Sequence, residues 1–368
     1  MQHPLPVARH LGGHHGHDHS HPHPHGGGFL DEYAPPLVEL SRGGLGESLH
    51  RGAVVACAPD GKRIKGLGHP AMPTFLRSAA KPLQALAVVE SGAHERFGLT
   101  PAELACMCGS LNGEDFQVEA VRGILGKAGL SEDLLACGVH PPSHRPTAQA
   151  MAQRGEKPKP VHNNCAGKHA AMLALCAHLG FPTKNYIALN HPVQQLILHA
   201  VAEICLYPAE QIGIGIDGCG VPVFRLPLFS LAGAYARLAA PAEAGLRPEL
   251  AQAAQTLMAA CLAHPEMIAG TGRICTRLMQ AAPGRFLAKT GSEGSYALAL
   301  PGLKLGVALN IEDGAMRALG PAVSEALHQL GVLDHAALEG PLADLHRPQI
   351  KNHRQEVVAE LAAVFSLA

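Results

Sequence analysis

Ser78-Ala79-Ala80-Lys81-Pro82 sets a hydroxyl and an amine three residues apart at the opening of a helical stretch. Residues at i and i+3 share a helical face, so Lys81, when neutral, can take the Ser78 proton. Gly66, Gly68, Pro70 and Pro73 punctuate the approach, and Leu83, Leu86, Ala87 and Val89 give the helix an apolar side that ends at Glu90. Pro82 lacks a backbone donor, which a helix tolerates only near its first turn, so Ser78 belongs close to the N-terminus. There the helix dipole favours a negative oxygen and disfavours a charged amine on Lys81. A capping serine with a solvated lysine gives the same spacing, so the reading turns on the rest of the chain.

Two further elements weigh on it. Ser110-Leu111-Asn112 lies in a turn between helical stretches, and Lys289-Thr290-Gly291 lies between the apolar 286–288 and the strand pattern of 295–300. Ser-x-x-Lys, Ser-x-Asn and Lys-Thr-Gly, in that order, resemble the motif set of penicillin-binding proteins and serine β-lactamases. Strand patterns occupy 37–40, 48–57 and 63–68, with Pro59-Asp60-Gly61-Lys62 as a turn, and return at 286–290, 295–300 and 303–310. Helical patterns occupy 78–91, 115–128, 167–179, 192–206, 227–240, 247–263, 273–281, 313–330 and 353–366. The expected fold class is α+β: an antiparallel sheet built from N- and C-terminal strands, about 37–68 and 286–310, around a helical region of about 78–281. That is a serine β-lactamase or penicillin-binding-protein-like layout, with 29–368 forming one catalytic domain.

The 368 residues are 47% hydrophobic and 16% charged with a formal net charge of -1, so neither nucleic acid nor an anionic membrane is an implied partner. No apolar run reaches membrane-spanning length and the opening lacks a secretory pattern, giving a cytoplasmic expectation. Ten cysteines outside a short secreted framework read as reduced thiols, mostly small buried residues. Residues 1–28 interleave His10, His14, His15, His17, His19, His21, His23 and His25 with Gly, Asp, Ser and Pro. That composition reads as a disordered tail that binds Ni2+ or Zn2+ weakly, or only solubilises.

A second chemical cluster is His162-Asn163-Asn164-Cys165-Ala166-Gly167-Lys168-His169. Asn164 as a cap would start a helix near Cys165 and put Cys165 and Lys168 on one face of its first turn, where the dipole lowers the thiol pKa. Asp217-Gly218-Cys219-Gly220 offers another thiol in a tight loop. Two thiolates suit zinc, although a lysine ligand is unusual and a packed cysteine beside a surface lysine fits the spacing equally.

Together these residues resemble the bacterial L-asparaginase family of the inducible rhizobial type. The resemblance covers about 35–368 and rests on Arg42-Gly43 with Glu47-Ser48-x-His50, Arg77 to Gln84, His162 to His169, Asp217 to Pro222 and Ala288 to Gly291. It implies a β-lactamase-like fold, L-asparagine hydrolysis, a homodimer, and zinc near the serines held by Cys165, Lys168 and Cys219. Leu111 departs from the polar residue of the β-lactamase pattern, and the His-rich tail is no part of the family pattern. The expected catalytic residues are Ser78 with base Lys81 and a second pair, Ser110 and Lys289, relaying protons. The expected substrate-binding residues are Arg77 for the carboxylate or as a site-organising cation, Asp217 for the amino group or as a partner of His169, an ordinary structural ion pair fitting either equally, then Asn112, Thr290 and Gly291, and also Cys275, for which plain burial is the simpler reading. A penicillin-binding or β-lactamase-like hydrolase shares the motifs, and a metal-storage protein would use the tail.

Overall fold

The structure is a computed structural model and describes residues 32–368, so the histidines of the expected tail lie outside the described residues. Strand β1 (Pro36–Arg42) runs into β2 (Leu45–Cys57), whose first half is largely exposed while 52–57 is buried on both faces. The change marks where β2 leaves the rim and enters the core. Strands β3 (Arg63–Leu67), β4 (Pro73–Phe75), β5 (Gly213–Ile216), β6 (Pro222–Pro227), β7 (Leu287–Thr290), β8 (Ser295–Leu300), β9 (Leu305–Ile311), β10 (Gln349–Lys351) and β11 (Val357–Ala363) follow. The main sheet has the order β10-β11-β1-β2-β9-β8-β7 with β3 beside β2, and β4-β6-β5 form a small second sheet. Every ladder is antiparallel. Both ends of the chain thus build one sheet around an inserted helical region, as the strand patterns imply.

The helix Leu228–Ala239 crosses the sheet at β9. Contact there is closer than any side chain permits: a Cβ on Gly306 would lie 2.0 Å from the Ala232 carbonyl oxygen and 2.1 Å from the Ala236 nitrogen. From the same helix Tyr235 donates its hydroxyl proton to Ala79 O at 2.7 Å, tying the sheet cover to the turn that carries Ser78. The helix Lys81–Glu90 is buried at every residue except Glu90. A helix apolar on one side was expected; one buried all round is the centre of a helical cluster.

Two expectations are corrected. Residues 353–366 do not form a helix: Val357–Ala363 is β11, paired with β1 from Val38↔Ala363 to Arg42↔Ala359. Helical propensity in Glu-Leu-Ala-Ala yields to a ladder that covers an otherwise open sheet edge. The expected 313–330 helix starts only at Leu319, after a short 3-10 turn at Met316–Ala318. Helices at Pro101–Cys108 and Arg145–Gln153 were not anticipated. All ten cysteines are buried and free. Among the described residues no helix is long and apolar enough to cross a membrane.

Candidate active site

Ser78 sits in a 3-10 turn, Arg77–Ala80, that feeds directly into the buried helix from Lys81. Its predecessor Arg77 has φ 49°, a left-handed conformation rarely held by a residue with a Cβ. Such strain persists only where neighbours fix the chain. Leu76 N–H donates to Phe224 O at 2.9 Å on one side, and Gly291 closes the other, since a Cβ there would come within 2.8 Å of Leu76 O. Gly291 thereby lets the end of edge strand β7 lie against the serine turn. Ser78 is 9% exposed, and among the described residues none bonds its hydroxyl. As the second residue of its helix, it also has no intrahelical acceptor for its N–H.

Lys81 is fully buried and donates to Gly109 O at 2.7 Å, Asn164 O at 3.0 Å and Ser110 Oγ at 3.2 Å. Lys289 approaches the same hydroxyl from β7, donating to Ser110 Oγ at 2.7 Å and Thr290 O at 3.0 Å. Ser110 is therefore the shared neighbour of both lysines. Lys81 is not hydrogen-bonded to Ser78, because a buried amine seeks acceptors and two fixed carbonyls hold it toward Ser110. Burial lowers the Lys81 pKa. Burial, then the charge of Lys81, brings Lys289 from 10.5 to about 7.

The remaining expected residues divide into walls and braces. Asn112 is clamped: its Nδ2 donates to Thr271 O at 3.2 Å and Glu114 Oε2 at 3.4 Å, while its Oδ1 accepts from Arg273 at 3.3 Å. Glu114, which carries no motif, also accepts the Thr271 N–H at 2.8 Å and so joins the Ser110 loop to the 270–273 loop. Cys275 was expected to line the pocket, but it is fully buried behind β7, accepting from Thr290 N–H at 3.2 Å and Tyr296 O–H at 3.3 Å. It is a brace for the strand. Thr290 turns its hydroxyl to Gly291 O at 3.2 Å.

The second cluster also converges. One ligand atom each from Cys165, Asp217 and Cys219 lies within 4.8 Å of the others. Lys168 Nζ donates to Asp217 Oδ2 at 3.3 Å, and Arg77 Nε to Asp217 Oδ1 at 3.1 Å. Arg77, expected for the substrate carboxylate, therefore has its charge matched within the protein. A hydrogen bond from Cys219 drives the Cys165 thiol down, and the same bond drives Cys219 up. Burial would neutralise Lys168, but the sulfurs and Asp217 outweigh it and raise its pKa. Burial likewise opposes ionisation of Asp217, yet Lys168, the Gly218 N–H and Arg77 hold it at about 2. Two sulfurs and a carboxylate are a donor set that fits zinc; Lys168, as a cation, would join only by losing its proton. The helix here begins at Ala166 with Cys165 as its cap, and Asn163, not Asn164, accepts the Cys165 N–H at 2.8 Å. Asp217 is not the partner of His169. Tyr186 takes that place, accepting from Ala136 N–H at 2.9 Å and sharing a hydrogen bond with His169 Nδ1 at 2.6 Å.

A buried helix-start serine, a second serine between two lysines and a Lys-Thr-Gly edge strand lie on an antiparallel sheet assembled from both ends of the chain, the layout of a β-lactamase-like fold. The chain belongs to the L-asparaginase II family, whose model matches residues 38–363. No curated protein matches it. Among solved structures, it is similar to native Mglu at 4.3 M NaCl, with 14% identity, TM-score 0.36 and coverage of 78% of this chain and 63% of that one. A β-lactamase from Mycobacterium bovis matches at 12% identity and TM-score 0.39, covering 77% of this chain and 95% of that one. A D-alanine carboxypeptidase from Burkholderia cenocepacia matches at 14% identity and TM-score 0.38, covering 77% and 93%. These scores are low, and the fold assignment rests on the strand order and the site.

Proposed function

We propose that this protein hydrolyses the side-chain amide of L-asparagine to L-aspartate and ammonia by two-step acyl transfer at Ser78. The carrying observation is Ser110 Oγ between Lys81 and Lys289, two buried amines with lowered pKa, beside the strained turn that presents Ser78. A neutral Lys81 spends two N–H bonds on Gly109 O and Asn164 O and keeps its lone pair for a hydroxyl. Ser78 Oγ attacks the amide carbon, its proton passes to Lys81, and the developing oxyanion faces backbone donors. Ser78 N–H, without an intrahelical acceptor, is one such donor, and Gly291 N–H is not, since it is bonded to Ser295 O at 2.7 Å. Ammonia leaves with a proton returned through Ser110 from the Lys81–Lys289 pair. Water then cleaves the aspartyl ester by the same relay in reverse. Ammonia release from L-asparagine, measured beside nitrocefin turnover, tests the reading. Turnover of nitrocefin alone would replace it with the β-lactamase alternative. A homodimer and a cytoplasmic location belong to the same proposal, tested by sedimentation and by cell fractionation.

The pH profile follows from the lysines. Both act neutral, and Lys289 is half protonated near pH 7, so kcat/KM rises from acid to neutral pH and flattens above the coupled midpoint. A profile flat from pH 5.5 to 9 would remove a lysine base from the mechanism.

We further propose that Cys165 and Cys219, with Asp217 or deprotonated Lys168, hold zinc. Bound there, zinc supplies fixed positive charge beside Lys81 that favours its neutral form. Cobalt-loaded protein should show thiolate-to-cobalt absorption that Cys165→Ser or Cys219→Ser weakens, a signal that the tail histidines do not mimic. An unchanged spectrum in either variant would refute the site.

A further inference from the structure

We propose that Arg273 binds the α-carboxylate of the substrate and thereby restricts the site to amides that carry a free α-carboxylate. This inference rests on the asparaginase reading and supplies a partner for the negative end of the substrate, which that reading leaves unplaced. A carboxylate taken from water into a site of buried side chains needs a cation with donors to spare, and a guanidinium fork is the best match to its two oxygens.

The cations near the serines are mostly committed. Lys81 has three acceptors, Lys289 has two, and Lys168 and Arg77 both serve Asp217. Arg273 differs. It is half-buried, its side chain makes a single hydrogen bond, NH1 to Asn112 Oδ1 at 3.3 Å, and among the described residues no carboxylate lies within ion-pair distance. Its Nε and second terminal nitrogen remain open.

Its position is fixed from two sides. Asn112 follows Ser110 by two residues, and with Nδ2 held by Thr271 O and Glu114 it must turn Oδ1 toward Arg273. Arg273 also precedes the helix Ile274–Ala281, whose Cys275 braces Thr290 of the Lys-Thr-Gly strand. The guanidinium thus stands between the Ser110 loop and β7, the two walls that carry Ser110 and Lys289. Its charge reaches far enough to help lower the Lys289 pKa.

The test compares L-asparagine with 3-aminopropanamide, the same amide without its α-carboxylate, in wild type, Arg273→Ala and Arg273→Lys. Arg273→Ala should lower kcat/KM for asparagine by about a hundredfold, mainly through KM, with Arg273→Lys in between. Product inhibition by L-aspartate should weaken by a similar factor, whereas turnover of 3-aminopropanamide, compared on the alkaline plateau where Lys289 is neutral in both proteins, should stay within about twofold. Equal losses on both amides, or unchanged aspartate affinity, would overturn the assignment and leave Arg273 a structural residue. A wild type that hydrolyses no asparagine would overturn the asparaginase reading instead. In that event calorimetric binding of L-aspartate still decides on Arg273: weaker binding in Arg273→Ala supports it, and equal binding or none refutes it.

Discussion

Ser78→Ala and Lys81→Met each reduce L-asparagine hydrolysis by about four orders of magnitude, and the double variant is little worse than either one, because nucleophile and base act as a unit. The two changes should differ in stability. Ser78 Oγ has no hydrogen bond to lose, so Ser78→Ala should unfold close to wild type. Lys81→Met keeps the buried volume but leaves Gly109 O without a donor, at about 1–3 kcal/mol, while Asn164 O keeps the Leu111 N–H at 3.0 Å. Steady-state kinetics, thermal unfolding and mass spectrometry of the trapped aspartyl-enzyme together separate the effects. An adduct on Ser110 with Ser78→Ala still active would move the nucleophile to the serine that both lysines touch.

Gly306→Ala should be the most damaging substitution outside the site, with a loss of more than about 4 kcal/mol and little soluble protein. The added methyl would sit 2.0 Å from Ala232 O, and the obstruction is helix backbone, which cannot rotate aside as a side chain does. Relief requires the helix Leu228–Ala239 to lift from β9, carrying Tyr235 away from Ala79 and loosening the serine turn. Denaturant unfolding and soluble yield measure the effect. A variant with wild-type unfolding midpoint and activity would show that the helix and sheet part at little cost.

The motif residues were legible because their chemistry is written in residue type and spacing. Lys81, Ser110 and Lys289 do meet, as do Cys165 and Cys219, while Ser78 sits on the turn that leads into Lys81 without a hydrogen bond to any of them. What sequence spacing does not encode is who neutralises whom. Arg77 and Asp217, each open to a substrate contact or a structural ion pair, are bound to one another, a pairing set by β6 folding the 217–222 loop back toward the serine turn. Glu114 and Arg273 carry no pattern at all; their roles arise from the packing of two loops that are far apart in the chain. The His169–Tyr186 contact was hidden for the same reason. The misread C-terminal segment had apolar and charged residues compatible with either period, and only the open edge of β1 decided between them.

The pairing of β1 with β11, and of β2 with β9, has a consequence during synthesis. The first two strands can pair with each other and with β3 as they emerge, but the edges taken by β11 and β9 wait for almost the entire chain. The helical insert can assemble meanwhile from local contacts, but Lys289 arrives late, on a strand held in place by β8 and β9. The newborn chain therefore carries Ser78 and Ser110 long before Lys289, and its late-paired strand edges stay open until translation is nearly finished.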